Sequence, residues 1–230
     1  MSQHDDEQRG RILSRREVLA MLVGAGGLLW VQPVLAEPQV KLSPEQTEGP
    51  FFVDEHLRRR DIRTDPKGGA ISPGLPLVLA LTVYGLRNKR PVPLSGAQVD
   101  VWHCDAQGVY SDVEKAEGHK FLRGNQITDA RGTVEFATVY PGWYEGRTVH
   151  IHFKVRHSAG KKNYDFTSQL YFDDSITDRV HRAKAYARPG QRVRNGQDGI
   201  FEVGGKQLMV GLTPTAAGYR GVFQVGLHLG

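Results

Sequence analysis

The sequence predicts an all-β protein, an antiparallel β-sandwich core with long loops and one short helix. Three observations carry this. Short runs rich in Val, Leu, Ile, Thr and aromatic residues recur along the chain. Each run is closed by Gly, Pro, Asp or Asn, as in "NKRPVPLSG" and "TDARGT". One stretch alone repeats its apolar residues at helical spacing.

The elements follow in order. The chain opens with "SRREVLAMLVGAGGLLWVQPVLA", in which the pair Arg15–Arg16 precedes an apolar, glycine-containing stretch and a small-residue stop at Val34-Leu35-Ala36. That pattern reads as a twin-arginine export signal over residues 1–36, with cleavage after Ala36. The competing reading is an uncleaved membrane anchor. Glycines interrupt the apolar run, which is shorter than the roughly 20 residues a spanning helix needs, so no stable membrane span is expected once the signal is gone. The expected location is periplasmic or extracellular. Residues 37–230 then read as a single domain, because no repeat, low-complexity tract or second composition regime divides them. Within it the strand-like runs are Pro76–Leu86, Ala97–Asp105, Thr133–Tyr140, Thr148–Val155, Ser168–Phe172, Lys206–Leu212 and Gly221–Leu229. Short turns between such runs argue for antiparallel pairing in a sandwich or barrel. The helix is expected over Asp174–Ala187, capped by Asp or Ser, with Ile176, Val180 and Ala183 on one face.

Composition excludes some partners. The formal net charge is +5. Residues 1–36 hold four arginines and four carboxylates, so the whole excess lies in the domain. It is spread over places such as "HLRRRD" and "GKKN", whereas nucleic-acid binding needs a dense basic face interleaved with aromatics. No nucleic-acid partner is expected. Cys104 is the one cysteine, so no internal disulfide can form. An exported protein without disulfides leans on a large core or a bound metal.

The chemistry-bearing residues concentrate in "PGWYEGRTVHIHFKV", Pro141–Val155. Strand alternation puts Thr148, His150, His152 and Lys154 on one face and Val149, Ile151, Phe153 and Val155 on the other. The apolar face is the core face, so both imidazoles point away from it, close enough to bind one ion. Taken alone, two surface histidines explain the pair equally well. Tyr144 follows a Pro-Gly turn, and Tyr110 ends "VWHCDAQGVY". A phenol, with a pKa of about 10, becomes a ligand beside a strongly Lewis-acidic ion, and Fe(III) suits it better than Zn(II) or Fe(II). Tyr140 competes with Tyr144 for that role, and Arg147 could simply pair with Glu145. His103, His119, His157 and His181 have no motif around them, and Cys104 reads as a small packed residue.

Five motifs occur in order: "TEGPFF" (Thr47–Phe52), "VWHCDAQGVYS" (Val101–Ser111), "PGWY" (Pro141–Tyr144), "RTVHIHF" (Arg147–Phe153) and "TSQLYF" (Thr167–Phe172). Together they resemble the intradiol ring-cleavage dioxygenases, non-haem iron(III) enzymes that open catechols between the two hydroxyl-bearing carbons. The resemblance runs from about Thr47 to the C-terminus. It implies that Tyr110, Tyr144, His150 and His152 bind Fe(III). Tyr144 and His152 would be axial, Tyr110 and His150 equatorial, and Tyr144 would leave as substrate arrives. It further implies that Arg147 faces the substrate ring with Gln169 as its partner.

The implied reaction takes a catechol-type diol and O2 to a cis,cis-muconate-type dicarboxylate. Catechol-type members carry a helical segment ahead of the "TEGPFF" position; with about ten residues between Ala36 and Thr47 that segment is expected to be absent, and the Tyr144–His150 loop is short. Catechol, protocatechuate, hydroxyquinol and lignin-derived diols all stay open as substrates, as does the oligomeric state. Two rival readings stand beside this one: a non-catalytic secreted sandwich that binds aromatics or polysaccharide, and a secreted zinc or copper protein using only the His pair.

Overall fold

The β-type runs pair into two sheets in the computed structural model, which describes residues 39–229 apart from 89 and 161. The export signal expected at 1–36 lies outside the described residues. Among the described residues no helix is long and apolar enough to cross a membrane.

The first sheet is organised on β1 (Pro76–Arg87). One edge of β1 pairs antiparallel with β5 (Thr133–Val139) along its first half and with β2 (Arg90–Pro93) along its second. Its other edge takes β9 (Tyr219–His228) in parallel, from Leu77↔Tyr219 to Leu86↔His228, and β8 (Gly211–Pro214) lies antiparallel beyond β9. The second sheet has the order β4-β3-β6-β7, with β3 at Gln98–Trp102, β4 at Arg123–Ile127, β6 at His150–Ala159 and β7 at Lys162–Tyr171. All its pairs are antiparallel.

Alternation supplies the core. Leu77, Leu79, Leu81 and Val83 of β1 and Phe136 of β5 meet Val99 and Val101 of β3 and Ile151, Phe153 and Val155 of β6. Each of these is buried, and each large side chain so buried contributes about 1.5–3 kcal/mol. The sandwich is therefore all-β, as expected, but the β1–β9 pair makes its first sheet mixed rather than purely antiparallel.

Local departures have physical reasons. Strand β4 reads "RGNQI", with no apolar alternation, because Arg123 and Asn125 are buried polar residues that bond loops. The run expected as a strand over Lys206–Leu212 divides into a 3-10 turn, Gly205–Leu208, and β8. The expected helix is shorter: α1 spans Asp174–Val180, capped by Asp173, whose side chain accepts from the Ser175 and Ile176 amides. The chain then turns at His181, whose ring stacks on Tyr186 in the next 3-10 turn at 4.8 Å. A second one-turn helix, α2 (Gly199–Glu202), is capped by Asp198.

The polar face of β6 does point away from the inter-sheet core, yet it is not a surface. His150 and His152 are 2% and 1% exposed. The segment 43–57 and the loops before β4, before β6 and after α1 roof that face. Ser168 Oγ donates to Pro44 O, and Arg123 Nη1 donates to Phe51 O, stitching the roof to the sheet.

Candidate active site

Under that roof four side chains converge. His150 and His152 come from β6 and stand on one face by alternation, with their Nε2 atoms 3.0 Å apart. Tyr144 Oη lies 3.2 Å and Tyr110 Oη 3.4 Å from His150 Nε2. Tyr140, the competitor of Tyr144, is elsewhere: it is buried in the core, bonded to Thr177 Oγ1 at 2.7 Å.

Loop chemistry aims the two phenols. Asp105 Oδ1 accepts the amides of Gln107 and Val109, which curls the chain between β3 and Tyr110. The Pro-Gly of the Tyr144 turn is needed for a close approach. Gly142 N donates to Asp105 O at 3.0 Å, and a Cβ on Gly142 would sit 2.5 Å from the Asp105 and Ala106 carbonyl oxygens. Cys104 Sγ also contacts Gly142 O, and Arg188 joins the same two loops through Gln107 O and Trp143 O while stacking on Trp143. Phe51, from "TEGPFF", stacks on Tyr110 at 4.5 Å and meets Tyr144 edge-on at 5.9 Å. Cys104 is buried in packing, as expected, and burial pushes its thiol well up. His103 is buried between Thr138 Oγ1 and Cys104 O; His119 is exposed, and His157 and His181 are half-buried.

The donor set suits a cation. His150 Nδ1 lies 2.7 Å from Thr148 O, and a carbonyl only accepts, so Nδ1 carries the proton and Nε2 offers its lone pair inward. Burial, helped by the Arg147 charge, lowers His150 to about 3 and holds His152 well below its usual value, so both rings are neutral. His152 Nδ1 is buried without a hydrogen-bond partner, and its ring stacks on Trp102 at 4.9 Å. With the proton on that Nδ1, its Nε2 lone pair also faces the cluster. Burial pushes Tyr144 up to about 12, against the charge of Arg147, and raises Tyr110 well above the usual phenol value. Such phenols ionise when a strong positive charge sits beside them. Among the described residues no group of three His, Cys, Asp or Glu side chains could hold a metal, which leaves this mixed phenol and imidazole set.

Arg147 and Gln169 lie beside the cluster. Arg147 Nη2 donates to Gln169 Oε1 at 2.6 Å, and Gln169 Nε2 donates to Thr47 O at 2.9 Å. Arg147 does not pair with Glu145; its Nε donates to Asp198 Oδ2 at 2.9 Å. Asp198, Tyr171 and Gln46 are members of this network that sequence reading does not single out. Tyr171 Oη reaches both Gln46 Oε1 (2.8 Å) and Gln169 Oε1 (3.1 Å). Tyr171 does stand in "TSQLYF", two residues from Gln169 and so on the same strand face, which is the signal that could have found it. Asp198 has no comparable signal.

Fold and donor set together define an all-β sandwich protein with a buried two-tyrosine, two-histidine site. The profile of the family described as Dioxygenase (Dioxygenase_C) matches residues 47–194. An intradiol ring-cleavage dioxygenase from Tetranychus urticae superposes with a TM-score of 0.72 at 30% identity, covering 82% of this chain and 95% of that one. The dioxygenase domain of a dioxygenase–carbohydrate-binding fusion from Streptomyces sp. SirexAA-E superposes at 0.61, also at 30% identity, over 83% of this chain and all of that one. A catechol 1,2-dioxygenase from Candida albicans is 33% identical over 130 residues, which is 47% of this chain and 41% of the relative, so the match spans under half the relative's length. The chain belongs to the intradiol ring-cleavage dioxygenase family.

Proposed function

We propose that the protein is an iron(III)-dependent intradiol dioxygenase that opens a catechol-type diol with O2 to a cis,cis-muconate-type dicarboxylate. The convergence of Tyr110 Oη, Tyr144 Oη and His152 Nε2 within 3.4 Å of His150 Nε2 carries this reading. Tyr110, Tyr144, His150 and His152 would hold the ion, and Fe(III) would supply the Lewis acidity that binds the diol as its dianion and activates the ring toward O2.

The chain's own residues divide the remaining work. Tyr110 is 5% exposed and sealed under Phe51, which suits a fixed ligand. Tyr144 is only half-buried, so it is the better placed of the two phenols to swing aside and take a diol proton on its Oη. His150 and His152 are locked in a strand and stay. Arg147, with its guanidinium bonded to Gln169, stabilises negative charge that develops on the ring. The roof of loops keeps water from the reacting carbons. The apolar Phe51, stacked on Tyr110 and edge-on to Tyr144, is consistent with an aromatic substrate. Delivery through a twin-arginine signal would place the enzyme outside the cytoplasm, tested by the subcellular fraction in which the full chain and an Arg15→Lys/Arg16→Lys variant accumulate.

One spectrum tests the main reading. Iron-loaded protein is expected to show a visible phenolate-to-Fe(III) absorption that shifts when catechol is added anaerobically, and to form a ring-opened dicarboxylate on admission of O2. A colourless protein that retains zinc, or one that binds catechol without consuming O2, would refute it.

A further inference from the structure

We propose that Asp198 is a positioning residue for Arg147, fixing the plane in which its guanidinium meets the diol ring; this rests on the ring-cleavage reading above. The carboxylate is 1% exposed, and the acceptor positions of both its oxygens are used. Oδ2 accepts from Arg147 Nε at 2.9 Å and from the Thr148 amide at 2.8 Å. Oδ1 accepts from the Ile200 and Phe201 amides at 2.8 and 3.2 Å, capping α2. Asp198 therefore cannot turn without giving up bonds at both oxygens, and it belongs to a rigid part of the roof.

That rigidity passes to Arg147. A guanidinium is planar, and hydrogen bonds at two of its nitrogens fix that plane. Nε is held by Asp198 and Nη2 by Gln169 Oε1. Gln169 is itself held by Thr47 O and Tyr171 Oη, so both anchors are stiff. The Arg147 charge also reaches Tyr144, where it holds the phenol down against the upward push of burial. Arg147 is 16% exposed along its side chain, and Glu145 stands exposed two residues away. Without Asp198 the long side chain has a route to solvent and an alternative carboxylate. The charge would survive, but its alignment with the ring would not.

A double-mutant cycle separates this from simple scaffolding. In the iron-loaded full chain, Asp198→Asn is expected to lower kcat by about 10–100-fold with iron content and the visible band unchanged. In an Arg147→Ala background the same substitution is expected to change kcat by less than about 2-fold. Equal losses in both backgrounds, or loss of iron in Asp198→Asn, would mean that Asp198 serves the Thr148–His150 strand entry instead, and would overturn the proposal. A second readout needs no turnover. In the iron-free chain the Arg147 Nε–H proton is expected to be a protected, slowly exchanging NMR resonance, and to exchange freely in Asp198→Asn. Persistence of that protection would overturn the proposal. If wild-type protein cleaved no diol, the ring-cleavage reading would fail while this measurement still decided whether Asp198 fixes Arg147.

Discussion

The two sheets of this sandwich use their outer faces in opposite ways. On the five-stranded sheet the outer face is open: Thr82 and Tyr84 of β1 are half-buried, Val222 of β9 is 50% exposed, and a groove of about 920 Å³ runs across them. On the four-stranded sheet the equivalent face is roofed, and His150, His152, Gln169, Arg123 and Asn125 are all buried beneath loops. The central strands β1 and β6 show the same alternation in sequence. What differs is the cover, and cover turns a polar strand face from a wetted surface into a dry, prearranged site. That groove is away from the four converging side chains, and the cluster of perturbed phenols and imidazoles is the better guide to a site.

The comparison can be broken most severely on β6 itself, where adjacent residues face opposite ways. His150→Ala is expected to abolish iron binding and ring cleavage while leaving the chain folded. Phe153→Ala, on the core face, should cost about 3–5 kcal/mol in chemical denaturation. A His150→Ala variant that kept its iron spectrum would refute the ligand assignment. Next in size is the loop interlock. Gly142→Ala drives a Cβ into two carbonyl oxygens and should destabilise by about 2–3 kcal/mol, with weakened iron retention, as seen by melting and metal analysis.

Acid should act gradually and on the roofed side. His103 is lowered to about 4 and His150 to about 3, both mainly by burial. Between those values and the unfolded value of about 6.5 the unfolded chain binds more protons than the folded one, so stability falls as pH falls. The iron-free chain should lose about 1.4 kcal/mol per histidine for each pH unit across that window, read from denaturation midpoints at pH 7, 6 and 5. A flat profile would mean that these rings are solvated. The smallest effect belongs to the open sheet: Val222→Thr should stay within about 0.5 kcal/mol.

The sequence made one half of this contrast legible and left the other half hidden. Alternation showed that His150 and His152 share a face, and the Pro-Gly turn pointed to Tyr144 over Tyr140, the phenol that the structure sets in the core. Alternation could not show that the face was covered, because the cover comes from residues remote in the chain. Arg147 was expected to face the substrate ring, with a Glu145 pair as the rival reading; its carboxylate is Asp198, between a 3-10 turn and α2, which periodicity does not mark. Strand β4 escaped for a related reason. Its buried Arg123 spends its donors on Phe51 O and on Ser111, so the residues that make it a strand look like those of a surface loop. The parallel β1–β9 pair was equally invisible, since nothing local distinguishes a parallel neighbour from an antiparallel one.

That β1–β9 pair also bears on how the chain is made. Strand β1 cannot complete its second edge until Tyr219–His228 is available, and bringing such distant segments together carries a large loop-closure cost. During vectorial synthesis β1 and β5 can pair early, but one edge of β1 stays unpaired while the whole stretch between β1 and β9 is made. The half-finished domain is therefore the form most exposed to misassociation, and maturation hinges on the arrival of β9.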